Sequence, residues 1–72
     1  MMSRFQVGEI VKWNWGAGSA TGKIAERFES KVTRQISGEK ITRNGSSDAP
    51  AFLIEQDDGG RVLKLESELE KT

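Results

Sequence analysis

Apolar and polar residues alternate along much of this chain. Val11, Trp13 and Trp15 are separated by Lys12 and Asn14, the period-two pattern of a strand with one buried face. Gly16-Ala17-Gly18-Ser19 breaks the pattern and predicts a loop. Thr21 to Phe28 predicts a second strand, with Ile24, Glu26 and Phe28 on one side and Lys23, Ala25 and Arg27 on the other. Lys31 to Ile36 and Lys40 to Asn44 flank Ser37-Gly38-Glu39, which predicts a hairpin with Gly38 at positive φ. Val32, Ile36 and Ile41 are its only large apolar residues. Such a hairpin is expected to project or lie at an edge, with both faces largely wet.

Asn44 to Pro50 is loop chemistry throughout. Ala51 to Gln56 is the most apolar run and predicts a central strand. Asp57-Asp58-Gly59-Gly60 is the strongest turn, and Arg61 to Leu65 returns from it with Val62, Leu63 and Leu65 available to a core. Glu66-Ser67-Glu68-Leu69 fits one helical turn with Leu69 tucked inward. Glu66, Glu68 and Glu70 are expected to form a solvated face. Short strands with close turns predict an all-β fold, a twisted sheet closing into a small barrel of about five strands. No repeat, linker or second domain is visible, so residues 1–72 read as one domain.

Composition narrows the chemistry. The chain has 72 residues and neither cysteine nor histidine. Disulfides, thiolate metal sites, the usual zinc ligands and His-based nucleophile systems are therefore outside its means. The adjacent Asp57 and Asp58 belong to turn chemistry, and no oxygen-rich metal cage is spelled out. A domain this small has little room for a water-excluding pocket, so the expectation is a non-enzymatic protein without cofactor or metal. The N-terminal stretch MMSRFQVGEI has no long apolar run, so neither a signal peptide nor a membrane span is expected, and the cytoplasm is the default location. Asn44-Gly45-Ser46 matches a glycosylation acceptor but reads as a turn.

Net charge is zero, yet it is unevenly spread. Up to Gly45 there are eight basic residues against four acidic; from Ser46 on there are three basic against seven acidic. The two halves either attract each other in the fold or leave a polar partner surface.

The segment WNWGAGSATGK, Trp13 to Lys23, invites a phosphate-loop reading. It fails on spacing. The P-loop pattern needs a glycine where Ala17 stands and a hydroxyl where Ile24 stands. The dinucleotide pattern begins correctly at Gly16 and Gly18, but its third glycine falls on Thr21. Both motifs also need a helix after the loop, and a strand follows here. A tight turn accounts for the glycines.

The tryptophans carry more. A buried Trp removes about 150–250 Å² from water, on the order of 4–6 kcal/mol gross. Trp13, mid-strand, reads as core. Trp15, at the strand end, is placed to face solvent as a ligand platform. Its ring can stack on a base, with phosphate contacts from Lys23, Arg27, Arg34 and Arg43. The candidate site is therefore Trp15, Trp13, Lys23, Arg27, Arg34 and Arg43. Two readings follow for a monomeric binding module. One is weak nucleic-acid binding, kept modest by the zero net charge. The other is a protein or peptide partner, methylated or extended, or self-association through the projecting hairpin.

The ordered set Phe5-x-Val7-Gly8-Glu9-x-Val11-x-Trp13, Gly18-x-Ala20-x-Gly22-x-Ile24, Arg43-Asn44 with Ser46, Asp48 and Pro50-Ala51, and Asp58-Gly59-Gly60-x-Val62-Leu63-Lys64 with Ser67-x-Leu69 resembles the hypervirulence-associated Tudor-domain family. The resemblance runs from about Phe5 to Leu69. Glu9, Gly45 and Phe52 depart from the family's usual aspartate, alanine and tyrosine. The resemblance implies a Tudor-like, SH3-like barrel and carries no ligand with it. Tudor and related barrels elsewhere bind methylated peptides, proline-rich segments or nucleic acid.

Overall fold

A computed structural model describes residues 5–72. Met1 to Arg4, including the Arg4 counted in the basic half and the start of the N-terminal stretch, lie outside the described residues. The elements are β1 (Ile10–Trp15), β2 (Gly18–Phe28), β3 (Lys31–Ile36), β4 (Glu39–Asn44), β5 (Ala51–Glu55), β6 (Arg61–Leu65), a 3₁₀ turn (Glu66–Glu68) and β7 (Glu70–Lys71). Five strands form one sheet in the order β6-β5-β2-β1-β7, and β3–β4 is a separate two-stranded sheet. The fold is all-β, as expected. The ladder does not close into a barrel: among the described residues, β6 and β7 each bond to one neighbour. Among the described residues, no helix is long and apolar enough to cross a membrane.

The turns follow from backbone chemistry. Trp15 pairs with Gly18, so the loop between β1 and β2 is only Gly16-Ala17, and β2 begins three residues before the expected Thr21. Gly16 takes φ +54°, which a glycine adopts at no steric cost. Ile36 pairs with Glu39, and Ser37 and Gly38 sit at φ 51° and 83°. That is a two-residue loop with both residues left-handed, whose twist matches the flanking strands. Glu39 therefore belongs to β4 rather than to the turn.

Two cores result. The first gathers Phe5, Val11, Trp13, Ile24, Phe52, Ile54 and Leu69 on one face of the main sheet. The rings of Phe5 and Phe52 meet edge-to-face at 6.1 Å. The second gathers Val32, Ala51, Leu53 and Leu63, with Phe28, Ile36, Ile41 and Leu65 packed against it. β5 feeds both, sending Phe52 and Ile54 one way and Ala51 and Leu53 the other. All four are buried.

Two expectations are corrected here. The hairpin does not have two wet faces, because Val32 is buried and Ile36 and Ile41 pack on the second core. Nor do Ile24, Glu26 and Phe28 share a side. Ile24 pairs with Ile54, but Glu26 pairs with Leu53 and Phe28 with Ala51. The register shift between Ile24 and Glu26 is a bulge, and one extra residue exchanges the faces of everything after it. The first half of β2 thus serves one core and Phe28 serves the other.

The acidic tail is not simply solvated. The Leu65 N–H donates to Glu68 Oε1 at 2.8 Å. Glu68 also lies 3.5 Å from Arg43 Nε and 4.0 Å from Lys64 Nζ, so one carboxylate ties the hairpin to β6. Glu70 accepts from Asn14 and faces Lys12 at 4.0 Å, pinning β7 to β1.

Gly22 shows how tightly β2 packs on β5. A Cβ there would sit 2.6 Å from Ile54 Cγ2 and 2.8 Å from the Glu55 carbonyl oxygen. Gly18, on the same strand, has open space around it. Gly22→Ala should cost about 2–3 kcal/mol by overpacking. In a domain this size that lowers the melting temperature by roughly 10 °C or more, while Gly18→Ala leaves it unchanged or slightly raised. Thermal unfolding followed by circular dichroism compares the two. Glu68→Ala should cost about 0.5–1.5 kcal/mol, because the Leu65 N–H loses its charged acceptor; urea denaturation at matched salt reads it.

Candidate functional site

The first core does not fill its face of the sheet. Past Trp13 the face opens into a groove of about 510 Å³, lined by Trp13, Trp15, Ser19, Ala20, Gln56, Val62 and Lys64. Strand alternation explains the set. Trp13 and Trp15 point to the same face of β1 as Val11. Ala20 lies opposite Trp13 on β2. Val62 and Lys64 pair with Ile54 and Phe52, so they share the face of the first core. The groove crosses the sheet from β1 to β6, three strand spacings or roughly 14 Å.

The two tryptophans differ sharply within it. Trp13 is 3% exposed and Trp15 is 64% exposed. Trp13 forms the floor and belongs to the core; Trp15 stands at the rim with its ring open to solvent. Lys64 is the groove's one basic side chain, and Glu68 faces it at 4.0 Å. The groove therefore offers apolar and aromatic surface, the polar groups of Ser19 and Gln56, and one cation already balanced.

The other expected site residues do not gather there. Lys23 pairs with Ile10, at the far end of the β1–β2 ladder from Trp15 and Gly18. That is five residues, roughly 17 Å along the strand, and on the opposite face. Arg27 is ion-paired with Glu29. The Arg34 guanidinium sits 4.9 Å from the centroid of the Phe28 ring, a cation–π contact against the second core. Arg43 donates to the Thr42 carbonyl at 3.0 Å and faces Glu68. Of the six residues, the structure brings together Trp13 and Trp15.

Arg43 lines a second, smaller groove of about 170 Å³, with Ile36, Ile41, Arg61, Val62, Leu63 and Lys64. It lies between the hairpin and β6, and Val62 and Lys64 border both grooves. Sequence reasoning missed Gln56, Val62 and Lys64 as groove residues. The period-two pattern of β6 already puts Val62 and Lys64 on one face. Only the strand order shows that this face is also the face of Trp15. Among the described residues, no three acidic side chains cluster as metal ligands would.

Comparison with known proteins agrees with this architecture. No curated protein and no solved structure matches the chain. The family described as the TUDOR domain of hypervirulence associated proteins matches residues 8–69, from the turn before β1 through the buried Leu69. A small binding module fits that match, and the chain belongs to this family.

Proposed function

We propose that the chain is a non-catalytic binding module that holds an extended, proline-rich segment of a protein partner in the groove of Trp13 and Trp15. The observation that carries this reading is the 64% exposure of Trp15 at the rim of a groove whose floor is Trp13, Ala20 and Val62 and whose polar groups are Ser19, Gln56 and Lys64. An exposed Trp beside a groove floored by a buried one is a surface on which a preformed polyproline helix docks with little ordering cost. A cage around a methylated cation needs several rings, and here only the face of Trp15 is open. The basic residues that would carry phosphate contacts are spread over other faces or engaged with Glu29, Phe28 and Glu68. That weighs against nucleic acid, although Trp15 alone can stack on a base.

An NMR titration tests both readings, because the two indole N–H signals report separately on Trp13 and Trp15. A capped proline-rich decapeptide should shift the Trp15 indole and the amides of Gln56 and Lys64, with little change on raising salt. Trp15→Ala should weaken this binding about tenfold or more, as removal of an anchoring aromatic does. The same titration with a mixed-sequence single-stranded oligonucleotide in low salt should leave Trp15 unmoved. Saturable oligonucleotide shifts at Trp15 that disappear with salt would replace the peptide reading with nucleic-acid binding. Failure of both probes to move Trp15 would remove the groove as a binding site.

A further inference from the structure

The two arms of the β3–β4 hairpin carry one five-residue pattern twice. Lys31-Val32-Thr33-Arg34-Gln35 on β3 is matched by Lys40-Ile41-Thr42-Arg43-Asn44 on β4. This short repeat corrects the expectation of a chain without repeats. The strand register turns it into symmetry. Thr33 pairs with Thr42, Lys31 with Asn44 and Gln35 with Lys40. A local two-fold axis through the Thr33–Thr42 pair therefore exchanges the two copies. The two hydroxyls meet at 2.9 Å, as side chains of directly opposed residues on one face do.

Strand alternation sorts the repeat into two faces. Val32, Ile41, Arg34 and Arg43 turn toward the body. The first two pack in the second core, Arg34 lies against Phe28, and Arg43 meets Glu68. Lys31, Thr33, Gln35, Lys40, Thr42 and Asn44 turn to solvent, and all six are exposed. This outward face holds no carboxylate and no large apolar side chain. Lys31 and Lys40 make no ion pair among the described residues, and neither belongs to the candidate set around Trp15. They stand at opposite corners of the ribbon, one on each strand, four residues or roughly 13 Å apart along it. Gln35 and Asn44 hold the other two corners, and the threonines lie at the centre.

We infer that this face docks in the major groove of double-stranded DNA. That groove is about 12 Å wide and admits a two-stranded β-ribbon. The outward side chains match what the base edges ask for. An amide such as Gln35 or Asn44 reads adenine N6 and N7, and a threonine meets a base edge or the thymine methyl. Lys31 and Lys40, one per strand, reach the phosphates on the two sides of the groove. The two-fold axis of the ribbon matches the dyad of a self-complementary duplex, as protein symmetry mirrors site symmetry in other DNA readers. Double-stranded RNA does not fit, because its A-form major groove is too deep and narrow for side chains to read. With two phosphate contacts the binding is weak, with a dissociation constant on the order of 10⁻⁴ M. The face points away from both grooves and does not depend on the proline-rich reading.

The test is a titration of isotope-labelled protein, in low salt, with a short self-complementary DNA duplex and with the RNA duplex of the same sequence. The DNA should shift the amides of Thr33, Gln35, Lys40 and Thr42 and leave the Trp15 indole unmoved. The RNA should bind several-fold more weakly. Log affinity for DNA should fall with log salt at a slope near about −2. Lys31→Gln and Lys40→Gln should each bring that slope to about −1 and weaken binding at least about threefold, the scale of one exposed ion pair. Their spectra show directly that the fold is kept. Trp15→Ala should leave the affinity unchanged. Equal binding of the RNA duplex, unaltered affinity in both lysine variants, shifts centred on Trp15 with the hairpin unmoved, or no shift at submillimolar DNA would each overturn the proposal.

Discussion

β5 is buried on both faces, and the rest of the molecule is arranged around that fact. Ala51, Phe52, Leu53 and Ile54 leave almost nothing exposed, so a layer must lie on each side. On one side the curl of the main sheet brings Phe5, Val11, Trp13 and Leu69 over Phe52 and Ile54. On the other the β3–β4 hairpin brings Val32 over Ala51 and Leu53. A strand with no wet face needs satisfied bonds on both edges as well, and β2 and β6 provide them. In a domain of this size, where a single core rarely leaves more than about 3–5 kcal/mol net, sharing one strand between two cores makes each apolar residue of β5 count in full.

The same arrangement explains why the two grooves lie where they do. The first core closes at the Phe5 and Leu69 end of the sheet and stays open at the Trp15 end, where the turn of Gly16-Ala17 leaves no further chain to cover it. The second core is covered by a hairpin that reaches β6 without bonding to it. Both openings therefore border the same edge strand, one on each face, which is why Val62 and Lys64 line both grooves.

Much of the fold was legible in local sequence. The alternation at Val11, Trp13 and Trp15, the run at Ala51, the left-handed Gly38 and the inward Leu69 each depend on neighbours within a few residues. What escaped depends on distant partners. The bulge in β2 has no local signature, because Ala25 is small and suits either face; only pairing with β5 forces the switch. Gly22 falls within the expected second strand, and nothing local shows that Ile54 lies against it. Phe52 is completely buried, which makes its ring a packing element. The site was half legible. Trp15 at a strand end and Trp13 within it follow from the pattern. The basic residues were grouped by nearness in sequence, whereas the fold spreads them over two faces and several partners.

The hairpin's mode of attachment has a consequence for how this family can vary. It is held to the body by side chains, chiefly Val32, Ile36 and Ile41, and by the Glu68 carboxylate, with no ladder bond to the main sheet. Register in the five-stranded sheet is therefore indifferent to what the hairpin does. Its tip can lengthen by two residues, one added to each arm, and its pleat stays in phase with the second core. One wall of the β6 groove can be rewritten in evolution while the scaffold beneath it stays fixed.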